Sequence, residues 1–232
     1  MGFDAWFFAR LDDQDRDRRL KDKEMEFVWQ PNGVEENTIF THALYAHYSA
    51  PSGFNMYMTG DDAPFLIDKS NEDYNAPSRA ADLMEKLEER ILHTATDQLF
   101  VVFGDDFKYI NAHWMYTNLD NMIAYMNEHH GDRYHFQYST PSDYVDALAK
   151  TNHTWTVKTD DMFPYGAGTH DYWTGYFTSR ANAKEYVRRT SSANDASSLL
   201  HSMNVIDVNA SDEEKQASLD ANKAMMNAIG IL

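Results

Sequence analysis

The 232-residue chain is 43% hydrophobic, 14% aromatic and 25% charged, and its 37 acidic against 20 basic residues give a formal charge of −17. That balance excludes disorder as the main state, and it makes nucleic acid or an anionic membrane surface a poor partner. The absence of cysteine removes disulfides, thiolate zinc sites and cysteine nucleophiles, which leaves oxygen and imidazole chemistry. Strictly apolar runs such as 99–103 fall far short of the ~18 residues a membrane-spanning helix needs. The first ten residues carry Asp4 inside the apolar stretch and no basic region before it, so they do not read as a leader. Either the protein is not secreted or its true N-terminus is missing.

Residues 1–8 read as a buried strand that empties into a polar loop at Arg10. The alternating charges of 12–26 are expected to be a solvated face. Residues 18–29 fit either a short helix or an extended edge before the turn Pro31-Asn32-Gly33. A second strand and loop is predicted over 40–48, followed by a long loop to Asn75 that contains Pro51, Gly53, Gly60 and Pro64. A helix opens at Pro77-Ser78, with Leu83, Met84, Leu87 and Ile91 on one face, and ends near Thr96. The run 99–103 has the look of a parallel strand covered on both faces and stops at Gly104-Asp105-Asp106. A helix through Leu119, Met122, Ile123 and Met126, a short strand at 134–139 and a helix opened by Thr140-Pro141 follow. This alternation predicts an α/β protein with a parallel layer. After the Gly166-Ala167-Gly168 loop the residues are helix formers, and Ser211-Asp-Glu-Glu214 is a capping box for a last helix that runs through Ile229. A domain boundary is expected there, giving domains 1–165 and 166–232.

The strongest chemical signal is the pair Asp105-Asp106, because ligands of α/β proteins gather outside the carboxyl ends of strands. Near Phe107 and Tyr109 such a carboxyl can be partly desolvated and serve as a general acid, although an aspartate there can equally do no more than cap a turn. Residues 160–177 interleave acids, glycines and aromatics in a way that suits a carbohydrate pocket, an aromatic core between domains being the alternative. His42, His47, His113 and the pair His129-His130 show no metal-ligand spacing on a helix and read as ordinary histidines.

Seven motifs in order sharpen this. Gly2-Phe-Asp with Arg10-Leu-Asp-x-Gln-Asp, Lys23-Glu-Met-Glu-x-x-Trp29, Gly104-Asp-Asp-Phe-Lys-Tyr109, Tyr138-Ser-Thr-Pro141, Asn152-His-Thr-Trp, Asp160-Asp-x-Phe-Pro-Tyr165 and Tyr172-Trp-Thr-Gly-Tyr-Phe-Thr-Ser-Arg180 together resemble the alpha-mannosidases of glycoside hydrolase family 38, most closely the lysosomal branch. The resemblance implies a partial parallel β/α barrel-like catalytic domain followed by the start of a helical-bundle middle domain. It also implies a retaining, zinc-dependent exoglycosidase that removes alpha-linked mannose from N-glycan-type oligosaccharides in a lysosome or vacuole. Asp106 matches the family's general acid/base. Arg10, Tyr48, Asp105 and Trp173 match positions lining the mannose site, with Ser49 standing where the family has Asn or Asp.

The family's His-x-Asp and Asp-Pro-x-Gly-His motifs, which supply zinc ligands and the nucleophile, belong upstream of these residues, and its His-His-Asp belongs downstream. None occurs in the chain. The resemblance therefore implies a slice of a larger enzyme: zinc in the parent, none in this chain, no metal ligand among its residues, and no activity alone. A non-catalytic or decayed carbohydrate-binding protein is the alternative. Asn152-His-Thr and Asn209-Ala-Ser are N-glycosylation sequons, as a secretory-pathway protein could carry. A sheet cut from its barrel exposes an edge and an apolar face, so the chain alone is expected to aggregate or pack loosely. No motif encodes an oligomeric state.

Overall fold

The computed structural model describes residues 2–56 and 62–230; Met1, Gly60 and the side chain of Ile229 lie outside the described residues. The chain divides into two compact units, 1–173 and 174–232.

The first unit is built on strands β1 (Ala5–Phe8), β2 (Glu26–Trp29), β3 (Ile39–Ala43), β4 (Tyr45–Tyr48) and β5 (Val157–Lys158). Four of them form a sheet in the order β1-β3-β2-β5. β1 runs parallel to β3, with Phe7 opposite His42, and β5 runs parallel to β2, but β2 and β3 are antiparallel. The sheet is therefore mixed rather than parallel. Its cause is the tight turn at Pro31–Gly33, since a connection as short as 30–38 cannot carry the crossover that parallel neighbours need.

Helix α1 (Asp13–Asp22) resolves the undecided segment. The Asp12 carboxylate accepts the amides of Gln14 and Asp15, and Lys23 closes the helix in the left-handed conformation. Its charge pattern is not wholly solvated. Arg19 is turned inward, donates to Asp15 and to the Glu24 carbonyl, and lies over the Phe27 ring at 4.1 Å. A guanidinium tolerates burial when its donors are satisfied and its flat face meets a π system.

Helices α2 (Ala76–Ile91), α3 (Ala112–His130) and α4 (Pro141–Ala149) follow. α2 ends at Ile91, five residues earlier than the apolar spacing suggests, in turns closed by His93 and Thr94. α4 opens with a complete Thr140–Asp143 capping box. The main core joins α2 to α3 through Leu83, Leu87, Leu119, Met122 and Met126, with Phe54 and Phe65 beneath them. Replacing the fully buried Met126 by alanine should cost about 2–5 kcal/mol, read as a lower urea midpoint, whereas Leu92→Ala at 67% exposure should stay within about 0.5 kcal/mol.

Neither 99–103 nor 134–139 joins a strand ladder, contrary to the reading from sequence. The first is a half-buried extended segment between two layers. Leu99, Val101 and Phe103 pack on the helical core, while Phe100 meets Phe7, His42 and Tyr144 on the sheet side. In the second, the Asn127 side chain exchanges two 2.8 Å hydrogen bonds with the Phe136 backbone. A side-chain amide there takes the part of a neighbouring strand.

The Gly166–Gly168 segment is not a loop but strand β6, paired with β7 (Asp171–Tyr172) in a small hairpin. The second unit holds a short helix α5 (Gly175–Thr178), α6 (Ala181–Ile206) and α7 (Asp212–Gly230). The bonds Ser198–Asn222, His201–Ser218 and Asn204–Glu214 make α6 and α7 an antiparallel hairpin. The Ser211–Glu214 capping box starts α7 as its spacing predicts. No described helix is long and apolar enough to cross a membrane.

Candidate active site

Arg10 follows β1, Tyr48 ends β4, and Gly104-Asp105-Asp106 ends the extended segment 99–103. The Ala50 amide hydrogen bonds the Gly104 carbonyl at 2.9 Å and joins the last two. These termini meet. The Tyr48 hydroxyl lies within the influence of both the Asp106 carboxylate and the Arg10 guanidinium. Partial loss of solvent, then the Asp106 charge, hold that hydroxyl above the ordinary phenol range, with Arg10 pulling the other way. Arg10 also lies over the rings of Tyr165, at 5.3 Å, and Trp173, at 4.6 Å. Those two rings are 5.5 Å apart and are tied by the Trp173 amide to the Tyr165 carbonyl. Arg10, Tyr48, Asp106 and Trp173, singled out in the sequence, thus share one surface.

Asp105 is the capping aspartate of the pair. Its Oδ1 accepts the Asp106 amide at 2.7 Å, and that bond, followed by the Ser49 hydroxyl, holds its carboxyl below the usual range. The Asp106 carboxylate is left near enough to act on Tyr48. Both aspartates are exposed, and Phe107 beside them is 88% exposed, so the partly desolvated carboxyl that the aromatic neighbours suggested does not form here. The turn is firm nonetheless. Phe107 and Tyr109 both take positive φ, and the Tyr109 hydroxyl donates to the Phe103 carbonyl at 2.6 Å.

A cavity of about 500 Å³ adjoins the cluster through Arg10 and Tyr48 and is walled by Trp6, Phe8, Trp29, Met162 and Phe163, with Asp161 at its side. Trp6 stacks on Phe8 at 4.7 Å and tilts against Trp29 at 5.3 Å, and the Trp29 indole donates to the Asp160 carbonyl. An apolar aromatic wall beside a cationic and carboxylate rim suits a sugar, whose C–H faces cover rings while its hydroxyls need polar partners. Within the acid-rich stretch 160–177, Asp161, Met162 and Phe163 line this cavity, and Tyr165 and Trp173 reach Arg10.

Sequence reasoning did not single out as site residues Trp6, whose only signal was membership of a predicted strand, Trp29, which entered only as the end of a motif, or His47. The His47 backbone sits at φ 57°, and its ring is tilted against Tyr48 at 4.1 Å and lies 6.3 Å from Tyr165. Partial burial, then the Arg10 charge, pull its pKa down against the opposing influence of Asp105 and Asp106. His42 lies elsewhere, buried on strand β3, and His129 stacks on Tyr125. Among the described residues no three histidine, aspartate or glutamate side chains converge on a possible metal position.

Arginine and tyrosine at the ends of β1 and β4, a carboxylate in the turn after segment 99–103 and a tryptophan after β7, beside an aromatic cavity, give an α/β protein a surface whose chemistry suits a saccharide. The family model for the glycosyl hydrolases family 38 N-terminal domain matches residues 1–168. The chain is 44% identical over 192 residues to a lysosomal alpha-mannosidase of Dictyostelium discoideum, covering 82% of this chain and 19% of that protein. It is 37% identical over 193 residues to the human lysosomal alpha-mannosidase, covering 81% and 19%. An alpha-mannosidase of Canavalia ensiformis is 36% identical over 182 residues, covering 78% and 18%. The chain belongs to glycosyl hydrolase family 38, and it spans less than a fifth of the length of these relatives.

Proposed function

We propose that the chain is part of the catalytic region of a retaining alpha-mannosidase that hydrolyses alpha-linked mannose in N-glycan-type oligosaccharides. The observation that carries this reading is the Arg10 guanidinium over the Trp173 ring, with its charge and that of Asp106 both acting on the Tyr48 hydroxyl. In it Asp106 is the general acid/base that protonates the departing glycosidic oxygen and later takes a proton from water. Trp173 covers a sugar face, and Arg10, Tyr48 and Asp105 bond to hydroxyls. The first unit would then be the later part of a barrel-like catalytic domain, and the α6–α7 hairpin the start of a helical middle domain. The names of the lysosomal relatives support a lysosomal or vacuolar parent protein, which would make it a glycoprotein.

Retention needs a second carboxyl ~5 Å from the first as nucleophile. Asp105 does not suit that part, because its Oδ1 is taken by the Asp106 amide at 2.7 Å. The zinc implied by the family finds no fitting set of donors either, because the described acids and histidines form no cluster of three. In this reading the nucleophile and the zinc ligands are supplied by other segments of a longer protein.

The purified 232-residue chain, dialysed against trace zinc, should hold no stoichiometric metal by elemental analysis and release nothing from an aryl alpha-mannoside at acidic pH. One tightly held zinc with turnover would overturn the division of labour. Saccharide binding by the chain, in a protein with no catalytic partner segments encoded beside it, would favour a non-catalytic carbohydrate-binding protein instead.

A further inference from the structure

The chain holds two Asn-x-Ser/Thr sequons, at Asn152 and Asn209, and the structure treats them differently. Residues 152–154 form an exposed turn after α4, with Asn152 at φ 53°. Among the described residues neither the Asn152 amide nor the Thr154 hydroxyl makes a hydrogen bond. The turn is pinned from behind by Trp155, whose ring packs on His153 at 4.6 Å and on Phe40 at 5.3 Å. Phe40 stands near the start of β3 and pairs with Ala5 at the start of β1, so the sequon lies at the amino end of β5 and of that strand pair. The cavity lies at the other end of β5, where Asp161 and Phe163 follow Lys158.

Asn209, in the connection between α6 and α7, has both of its reactive partners engaged. Its Nδ2 and its own backbone amide donate to Asp207 Oδ1 at 3.2 and 2.8 Å. The Ser211 hydroxyl donates to Glu214 at 2.8 Å and accepts the Glu214 amide. Every one of these bonds spans three residues or fewer, so they can form while the chain is still being made and compete with a transferase.

We propose that Asn152 is the N-glycosylated residue of this chain and that Asn209 stays unmodified; this rests on the secretory-pathway reading above. In the transfer, Asn152 Nδ2 forms a bond to the anomeric carbon of an oligosaccharide carried on a lipid pyrophosphate. The bond from that carbon to the pyrophosphate oxygen breaks, the lipid pyrophosphate leaves with its electrons, and Nδ2 gives up one proton. A glycan at this end of the sheet leaves the aromatic cavity open.

The test is the mass of the chain, directed into the secretory pathway of eukaryotic cells by an appended leader, before and after peptide N-glycosidase. One oligosaccharide should be lost from the wild type and from Asn209→Gln, and none from Asn152→Asp, which tolerates the left-handed backbone, or from Thr154→Ala, which leaves the asparagine in place. A glycan on Asn209, or none on the secreted wild type, overturns the assignment. A glycan on the leader-directed chain with none on the parent protein in its own cells would leave the site standing and overturn the compartment reading.

Discussion

Asp106→Asn, made in a full-length alpha-mannosidase that carries this segment, should lower turnover of unactivated mannosides by about 10²–10⁴-fold, the range typical of a lost general acid. The loss should depend on the leaving group. An aryl mannoside whose phenolate departs without protonation should lose little in its first step and stall at hydrolysis of the glycosyl-enzyme, where Asp106 would serve as base. Added azide, which needs no base, should then restore turnover. The turn geometry motivates this choice of residue: Asp105 takes the Asp106 amide at 2.7 Å and so does the capping, which leaves the Asp106 carboxyl to Tyr48 and the solvent side. An equal loss on every leaving group, with no azide rescue, would mean that Asp106 holds the turn and does not transfer a proton.

Much of the helical layer could be read from the chain because its burial is periodic. Leu119, Met122 and Met126 fall on one face of α3, and all three are buried. The Thr140-Pro141 start and the Ser211 capping box gave two helix starts to the residue. The sheet was harder to read, for a physical reason. An apolar run says that a segment is covered, and 99–103 is covered on both sides, yet nothing in the residues says whether its backbone bonds to a strand or to scattered partners. Asn127, which satisfies Phe136 in place of a ladder, lies in a helix and gives no hint of that use. Arg19 likewise looked solvated until Phe27 and Asp15 supplied its burial.

The candidate site was legible only through ordered motifs. Composition alone left Asp105 and Asp106 interchangeable, and the structure separates them by one backbone hydrogen bond. His47 carried no spacing signal because a lone histidine has none. Its relation to Tyr48 arises from a left-handed backbone at φ 57°, a conformation that no neighbouring glycine or proline announces.

The remaining large effect lies away from this surface, in the buried group Glu26, His42 and Tyr144. Tyr144 donates to Glu26 Oε1 at 2.8 Å, and His42 Nδ1 lies 3.4 Å from the same oxygen. The imidazole is enclosed by the rings of Phe7, Phe100 and Tyr144, with Arg90 and His93 lining the small space beside it. Burial pushes His42 down to about 4 and pushes Glu26 up, while burial and then the Glu26 charge keep the Tyr144 hydroxyl protonated. For His42 the unfolded chain binds its proton near 6.5 and the folded chain only near 4, so its contribution is complete above 6.5 and is lost as pH falls toward 4. The loss is on the order of 3 kcal/mol. Glu26 works the other way: its raised folded pKa gives a contribution that is full below the unfolded carboxyl value and is lost as pH rises through the folded one. The two slopes oppose each other in mildly acidic solution and flatten the stability profile there. Urea unfolding between pH 4 and 7 should therefore show a steeper acid loss in Glu26→Gln than in the wild type, and none of the histidine's share in His42→Asn. Parallel profiles for all three proteins would mean that neither group changes its proton affinity on folding, and that the pair is held together by packing alone.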